Sequence, residues 1–229
     1  ENSAVSFDKE LQENNIVTIQ PDSLRILHNP LTGWVLYASM GVDAADFWAQ
    51  YDHMYIPELG HNVSVTDYAH TLYIRASWTD FNPQEDVYGW KIDSNLRAYI
   101  EGACQRNMRL AFRVVVDSRD KRTEFTPQFV KDAGAKGFMN KGKWSPYSDD
   151  PVFQKYYTKF VKALAKDFND PSKVEFIDGF GLGKWGEYHT MIYSTGDDTP
   201  KKAVFDWVTD IYSQAFDKVP LVINYHRWI

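Results

Sequence analysis

Residues 174–190, VEFIDGFGLGKWGEYHT, decide how the 229-residue chain is read. An apolar run of strand character enters a series of alternating glycines, and Trp185, Gly186, Glu187 and His189 then arrive together. Glycines in such a place let the backbone or a ligand approach closely. A strand that ends in Trp, Glu and His delivers polar chemistry at its C-terminal end, where α/β folds keep their sites. Walls formed by Trp185 and Tyr188 are expected to desolvate the Glu187 carboxylate and suit it to donate a proton near neutrality. The bland alternative is a Glu in a solvated surface ion pair. Residues 181–186 also match G-x-G-x-x-G literally. No amphipathic helix opens directly behind them, and Glu187 would face a bound pyrophosphate, so a dinucleotide site is set aside.

Outward from this segment, short β-rich runs alternate with runs of helical period, the pattern of βα units. Strands are expected at residues 34–37, 71–77, 110–116, 174–180 and 221–224. Ser94 is read as the N-cap of a helix carrying Leu96, Ile100, Ala103 and Cys104 on one face, which makes Cys104 a buried, inert thiol. Pro151 opens a second helix with Phe153, Tyr157, Phe160, Leu164 and Phe168 at helical spacing. Thr199-Pro200 opens a third, carrying Val204, Trp207, Val208, Ile211, Ala215 and Phe216. Residues 38–69 and 117–150 read as long connections, which in a compact domain are usually functional or mobile.

Five βα units in series admit a (β/α)8 barrel or a doubly wound sheet. Polar residues follow several strands: Arg75, Trp78 and Asp80, then Arg113 and Asp117, then Trp185, Glu187 and His189, then Asn224 and His226. Many strand ends converging on one mouth favour the barrel, because a doubly wound sheet gathers its ligand at a single switch point. The fold class is therefore α/β, the N-terminal portion of a (β/α)8 barrel. Residues 1–28 form a lead-in strand (Ile16 to Ile19) and extension, and residues 29–229 a partial barrel expected to be completed outside this chain. An open five-strand barrel would otherwise leave edges and core exposed.

Composition narrows the partners. With 25 basic against 31 acidic residues the net charge is -6, and the scattered charges give no footprint for a nucleic-acid backbone. No apolar run approaches the roughly 18 residues of a membrane span. The single cysteine excludes an internal disulfide. Aromatic residues make up 16% of the chain, and their apolar faces and polar tips suit a cleft for flat, hydroxylated ligands such as sugars. The start at Glu1 rather than Met suggests a processed N-terminus and, with it, export. Asn62-Val63-Ser64 fits a glycosylation acceptor that matters only in a eukaryotic secretory host. Oligomeric state is not legible.

A second segment makes the reading specific. Residues 78–93 carry W-x-D-x-x-P-x-x-x-x-Y-x-W-x-x-D. This is similar to the stretch after the second strand in the clan-A retaining glycoside hydrolases, (β/α)8 enzymes that include β-galactosidases and cellulases. Together with N-P-L-T-G-W at 29–34 and G-K-W-G-E-Y-H at 183–189, the chain resembles an uncharacterised bacterial branch of that clan over residues 29–226. The resemblance implies a carbohydrate substrate, an oligosaccharide or polysaccharide, and no cofactor. It maps the acid/base Glu, at the end of the fourth strand, onto Glu187. The clan usually has Asn just before it, to contact the sugar 2-hydroxyl, where this chain has Gly186. The nucleophile Glu, after the seventh strand, has no counterpart here, although a retaining mechanism needs a second carboxyl roughly 5 Å from the first.

The substrate-binding set implied around Glu187 is Trp34, Arg75, Trp78, Asp80, Arg113, Asp117, Trp185, His189, Asn224 and His226. The arginines would bind substrate or hold a carboxylate ionised, or else form structural ion pairs across the barrel top. The tryptophans would stack on sugar faces, or else serve as lid or core. Two other functions stay open: a barrel that binds carbohydrate without cleaving it, for which Gly186 is the hint, and a metal-dependent isomerase or hydrolase using Glu187, His189, Asp117 and His226. No residue is nonetheless assigned as a metal ligand.

Overall fold

The structure is a computed structural model that describes residues 33–38, 40–117 and 123–223. The residue 1–28 extension with its lead-in strand, and likewise Asn224 and His226, lie outside the described residues.

Five parallel strands form one sheet: β1 (Trp34–Ala38), β2 (Ala69–Ser77), β3 (Arg109–Val115), β4 (Val174–Asp178) and β5 (Leu221–Val222). A helix intervenes between each successive pair: α1 (Ala44–Asp52), α2 (Ser94–Gln105), α3 (Pro151–Phe168) and α4 (Lys201–Ala215). The strands lie side by side in chain order, each parallel to the last. A doubly wound sheet must reverse direction at a switch point, so this monotonic order is that of a barrel segment. All five expected strands are present. The fourth ends at Asp178 rather than residue 180, because Gly179 takes a left-handed φ of 61° and turns the chain out of the sheet.

Alternation within the strands divides the sheet into two unlike faces. Leu36, Leu72, Ile74, Leu110, Phe112, Val114, Val174 and Ile177 point one way and are buried in a single hydrophobic cluster with the helices. α3 contributes Phe153, Tyr157, Phe160, Val161, Leu164 and Phe168 to it, spaced along one helical face. Each such side chain contributes about 1.5–3 kcal/mol on burial. Tyr37, Tyr73, Arg75, Arg113, Phe176 and Asp178 point the other way and are half-buried or exposed. Tyr37 lies opposite Tyr73, and Arg75 opposite Arg113.

Local details depart from the sequence reading. Asp93, not Ser94, caps α2: its Oδ1 accepts the Leu96 N–H at 2.7 Å, as a carboxylate at a helix N-terminus does most effectively. Cys104 is exposed, because α2 buries Leu96, Tyr99 and Ala103, and the next residue is rotated about 100° away. Pro151 does open α3, with the Asp150 carboxylate as its cap at 2.8 Å from the Phe153 N–H. The two long connections carry structure of their own. Residues 38–69 contain α1 and a small hairpin (Met54–Ile56 with His61–Val63), and residues 117–150 a one-turn helix (Gln128–Asp132) and another hairpin (Gly137–Asn140 with Lys143–Pro146). Strands of three or four residues are too short to declare a period.

No helix among the described residues is long and apolar enough to cross a membrane.

Candidate active site

The loop after β4 is folded tightly by its glycines. Gly181 has φ +84°, and a Cβ there would meet the Tyr157 hydroxyl at 2.1 Å. That hydroxyl donates to the Phe180 carbonyl at 3.0 Å and is 2.8 Å from the Tyr212 hydroxyl, so two helices grip the loop from beneath. Val116 N–H donates to the Gly181 carbonyl, and Tyr188 N–H to the Leu182 carbonyl, which bends the segment back on itself. Trp185, Tyr188 and Thr190 adopt left-handed φ without being glycine, at 60°, 59° and 51°. Backbone strain of this kind persists only where the surroundings enforce it, and it collects at functional sites. With Phe180, Leu182 and Tyr188 drawn into the core, Trp185 and Glu187 are left on the open side.

There Glu187 meets Arg113, which rises from the polar face of β3. Arg113 Nη1 donates to Glu187 Oε1 at 2.6 Å, while Nε and Nη2 donate to Asp178 Oδ2 at 2.9 and 2.5 Å. Tyr73 on β2 donates its hydroxyl to the same Asp178 oxygen at 2.5 Å. One guanidinium thus stands between two carboxylates. Burial, with the Asp178 hydrogen bond behind it, pushes the Tyr73 phenol far above its ordinary range, which keeps it protonated and donating. Burial works to lower the Arg113 pKa, but Tyr73, Asp178 and Glu187 outweigh it and raise it, so the guanidinium is charged at every accessible pH. The Glu187 side chain is 34% exposed. Its Oε2 lies 3.9 Å from His189 Nε2, and the His189 ring meets the edge of Trp185 at 5.2 Å between centroids. The Lys184 ammonium sits 4.4 Å from the Trp185 ring centroid.

A cleft of about 400 Å³ opens beside this group at the C-terminal ends of β1, β2 and β3, with Tyr37, Met40, Arg75, Asp80, Thr123 and Phe125 among its walls. Arg75 joins cleft and loop: its Nη2 donates to the Trp185 carbonyl at 3.3 Å.

The expected site residues therefore divide. Glu187, Arg113, Trp185, His189 and Arg75 come together, and Asp80 lines the adjoining cleft. Asp80 is also committed locally, its Oδ2 accepting the Ser77 N–H and hydroxyl in a reciprocal cap. Trp78 is a correction. It is wholly buried, with its ring 5.1 Å from Tyr157 and 5.7 Å from Phe160, because it begins the helical turn after β2 and points to the apolar side of the sheet. Asp117 is buried and accepts from Ser145 Oγ at 3.3 Å, tying the strand end to the second hairpin. Trp34 is 75% exposed on the edge strand β1 and is not among the residues lining the cleft. The apolar wall expected around Glu187 is replaced by a charge partner, since Tyr188 turns inward against Phe180. Among the described residues no three His, Cys, Asp or Glu side chains are grouped to hold a metal ion.

Two members of the site escaped the sequence reading, Tyr73 and Asp178. Both were accessible to it through period two: Tyr73 precedes Arg75 by two residues, and Asp178 is an acid closing an otherwise apolar strand.

No family model matches the chain, and no curated protein matches it. Among solved structures it is similar to an exo-β-1,4-mannosidase from Opitutaceae bacterium strain TAV5, with a TM-score of 0.51 and 15% identity over 82% of this chain and 31% of that one. The fold is that of part of a (β/α)8 barrel. Xylanase B from Clostridium stercorarium F9 (TM-score 0.44, 12% identity, 83% of this chain and 52% of that one) and an endogalactoceramidase (0.45, 12%, 85% and 48%) are also similar, and the assignment does not rest on them. The chain spans from 31% to 52% of the length of these proteins.

Proposed function

We propose that this partial barrel carries the acid/base side of a carbohydrate-cleaving site, with Glu187 as the proton-transferring group. The observation that carries the reading is the placement of Glu187: on the loop that leaves the C-terminal end of β4, half-exposed, beside Trp185 and one residue contact from a cleft of sugar size. In a retaining mechanism Glu187 protonates the leaving glycosidic oxygen, then deprotonates the water that resolves the glycosyl intermediate. Trp185 offers an apolar face on which a sugar ring can stack.

The mechanism needs a second carboxylate, and Asp178 does not supply it. The Arg113 guanidinium fills the space between Asp178 and Glu187 where an anomeric carbon would have to lie. Arg75 is the better clue to that partner. It faces the cleft and, among the described residues, gives only one hydrogen bond, to the Trp185 carbonyl. The rest of its donor fork suits a carboxylate or a sugar hydroxyl pair.

A non-catalytic carbohydrate-binding barrel is the second reading, favoured by Gly186 beside the acid and by the firm pairing of Glu187 with Arg113. The full-length protein and its Glu187→Gln variant, assayed on a panel of β-linked manno-, xylo-, gluco- and galacto-oligosaccharides, separate the two. The enzyme reading expects cleavage by the parent and a loss of about 10²–10⁴-fold in the variant. Binding by both without cleavage by either establishes the second reading instead.

A further inference from the structure

We infer that Asp178, braced by Tyr73, is a positioning residue that makes Arg113 grip Glu187 through one oxygen only, leaving Glu187 Oε2 as the oxygen that carries the transferred proton. The inference rests on the reading of Glu187 as the acid/base.

A guanidinium has two donor forks, and a single unconstrained carboxylate nearby is ordinarily taken by one of them in a two-oxygen, two-nitrogen pairing. Glu187 bound in that way would have an N–H donor on each oxygen, and a substrate would compete with arginine at both. Here the fork made of Nε and Nη2 is spent on Asp178 Oδ2. Nη2 keeps a second N–H, but the hold on Asp178 fixes the orientation of the guanidinium, and in that orientation Nη1 alone is hydrogen-bonded to Glu187, at Oε1. Oε2 is turned instead toward His189 Nε2, at 3.9 Å, beyond hydrogen-bond reach.

Asp178 itself is fixed from the far side. Its Oδ2 accepts from Tyr73 as well as from Arg113, and the Tyr73 ring is steadied by Tyr37 and Phe176 at centroid separations of 5.6 and 6.4 Å. The chain of contacts crosses three strands, from β2 (Tyr73) to β4 (Asp178) to β3 (Arg113), and ends at the loop after β4. Each anchor is on rigid sheet, whereas Glu187 is on a loop, so the sheet imposes the geometry on the loop. The other charged groups near Glu187 are His189 on the same loop, Lys184 over Trp185, and Arg75 through the Trp185 carbonyl. Among the hydrogen bonds and ion pairs described, none of these competes for the Arg113 forks.

The test uses the full-length protein with Asp178→Asn, Asp178→Glu and Tyr73→Phe, read by steady-state kinetics on a glycan that the parent cleaves and by a crystal structure of each variant. Asp178→Asn is expected to lower kcat by about tenfold or more with KM held within about twofold, since a misaimed acid affects the chemical step rather than binding. Asp178→Glu restores part of kcat, and Tyr73→Phe costs only a few-fold. In the Asp178→Asn structure Arg113 swings to meet both Glu187 oxygens. Unchanged kcat, or an Arg113 still bound to Oε1 alone, overturns the inference. A parent that cleaves nothing overturns the Glu187 reading instead, and the Arg113 position in the variant structures then still decides whether Asp178 sets the grip.

Discussion

The two faces of the five-stranded sheet are built from alternate residues of the same strands, yet they are different materials. On one face Leu36, Leu72, Ile74, Leu110 and Phe112 are sealed beneath four helices. On the other, Tyr37, Tyr73, Arg75, Arg113 and Asp178 keep partial access to solvent, and Tyr73, Arg113 and Asp178 hold one another by hydrogen bonds and charge. Stability is therefore concentrated on the helix side and chemistry on the open side. The separation implies that single substitutions should damage either the fold or the site, and seldom both.

The sharpest way to break that comparison is to cut the helix side. Phe112→Ala removes a fully buried ring that packs 4.7 Å from Phe168, and it should lower unfolding free energy by about 3–5 kcal/mol in urea titrations. Tyr37→Ala, on the open face and 51% exposed, should cost less than about 1 kcal/mol in the same assay. Equal losses would erase the distinction between the faces.

The boundary between the faces is probed by Gly181→Ala. With φ +84° and the Tyr157 hydroxyl 2.1 Å from the new Cβ, the loop must shift, at a cost of about 2 kcal/mol that thermal denaturation would read. Any sugar affinity of the chain should fall with it, because the same loop carries Trp185 and Glu187. Affinity left intact would show that the loop's grip on the helices is unnecessary to the site.

The smallest effect concerns charge on the helix side, where Asp52 of α1 pairs with Arg106. The Arg106 hydrogen bond, against an opposing contribution from burial, holds the Asp52 carboxyl below its ordinary 3.8. A depressed carboxylate pKa adds stability that is present above the unfolded value and lost as pH falls through the folded one. The melting temperature should therefore drop below about pH 4 with a contribution of about 1 kcal/mol from this pair, and Asp52→Asn should flatten that part of the curve. A variant curve parallel to the parent's would remove the pair from the account.

How much was legible beforehand follows the same division. The helix side declared itself through period: the Phe153-to-Phe168 stripe of α3 and the five apolar strand runs were readable because burial imposes strict spacing. The loop at 179–190 was readable because glycines and aromatics cluster there for a geometric reason. Trp78 was misplaced because an aromatic at a strand end looks alike whether it turns to the open face or into the helices; the reciprocal Ser77–Asp80 cap, which starts a helical turn at Trp78, settles its direction. Period two puts Tyr73 and Asp178 on the open face, but their role was overlooked because it exists only across strands, in the register of β3 with β4 that brings Asp178 beside Arg113, and a single sequence does not display register. The Asp93 cap differed by one residue, the usual uncertainty of an element's end.

The central claim, that Glu187 hands a proton to the leaving oxygen, is tested most directly by leaving-group dependence. Aryl glycosides of one sugar that the parent cleaves, with good and poor leaving groups, would be compared in the parent and in Glu187→Gln. A nitrophenolate departs without protonation and an alkoxide does not, so kcat/KM should fall about 10²-fold or more on the poor leaving groups and far less on the good ones. An equal fall across the series, or none, would contradict the assignment of Glu187 as the proton donor.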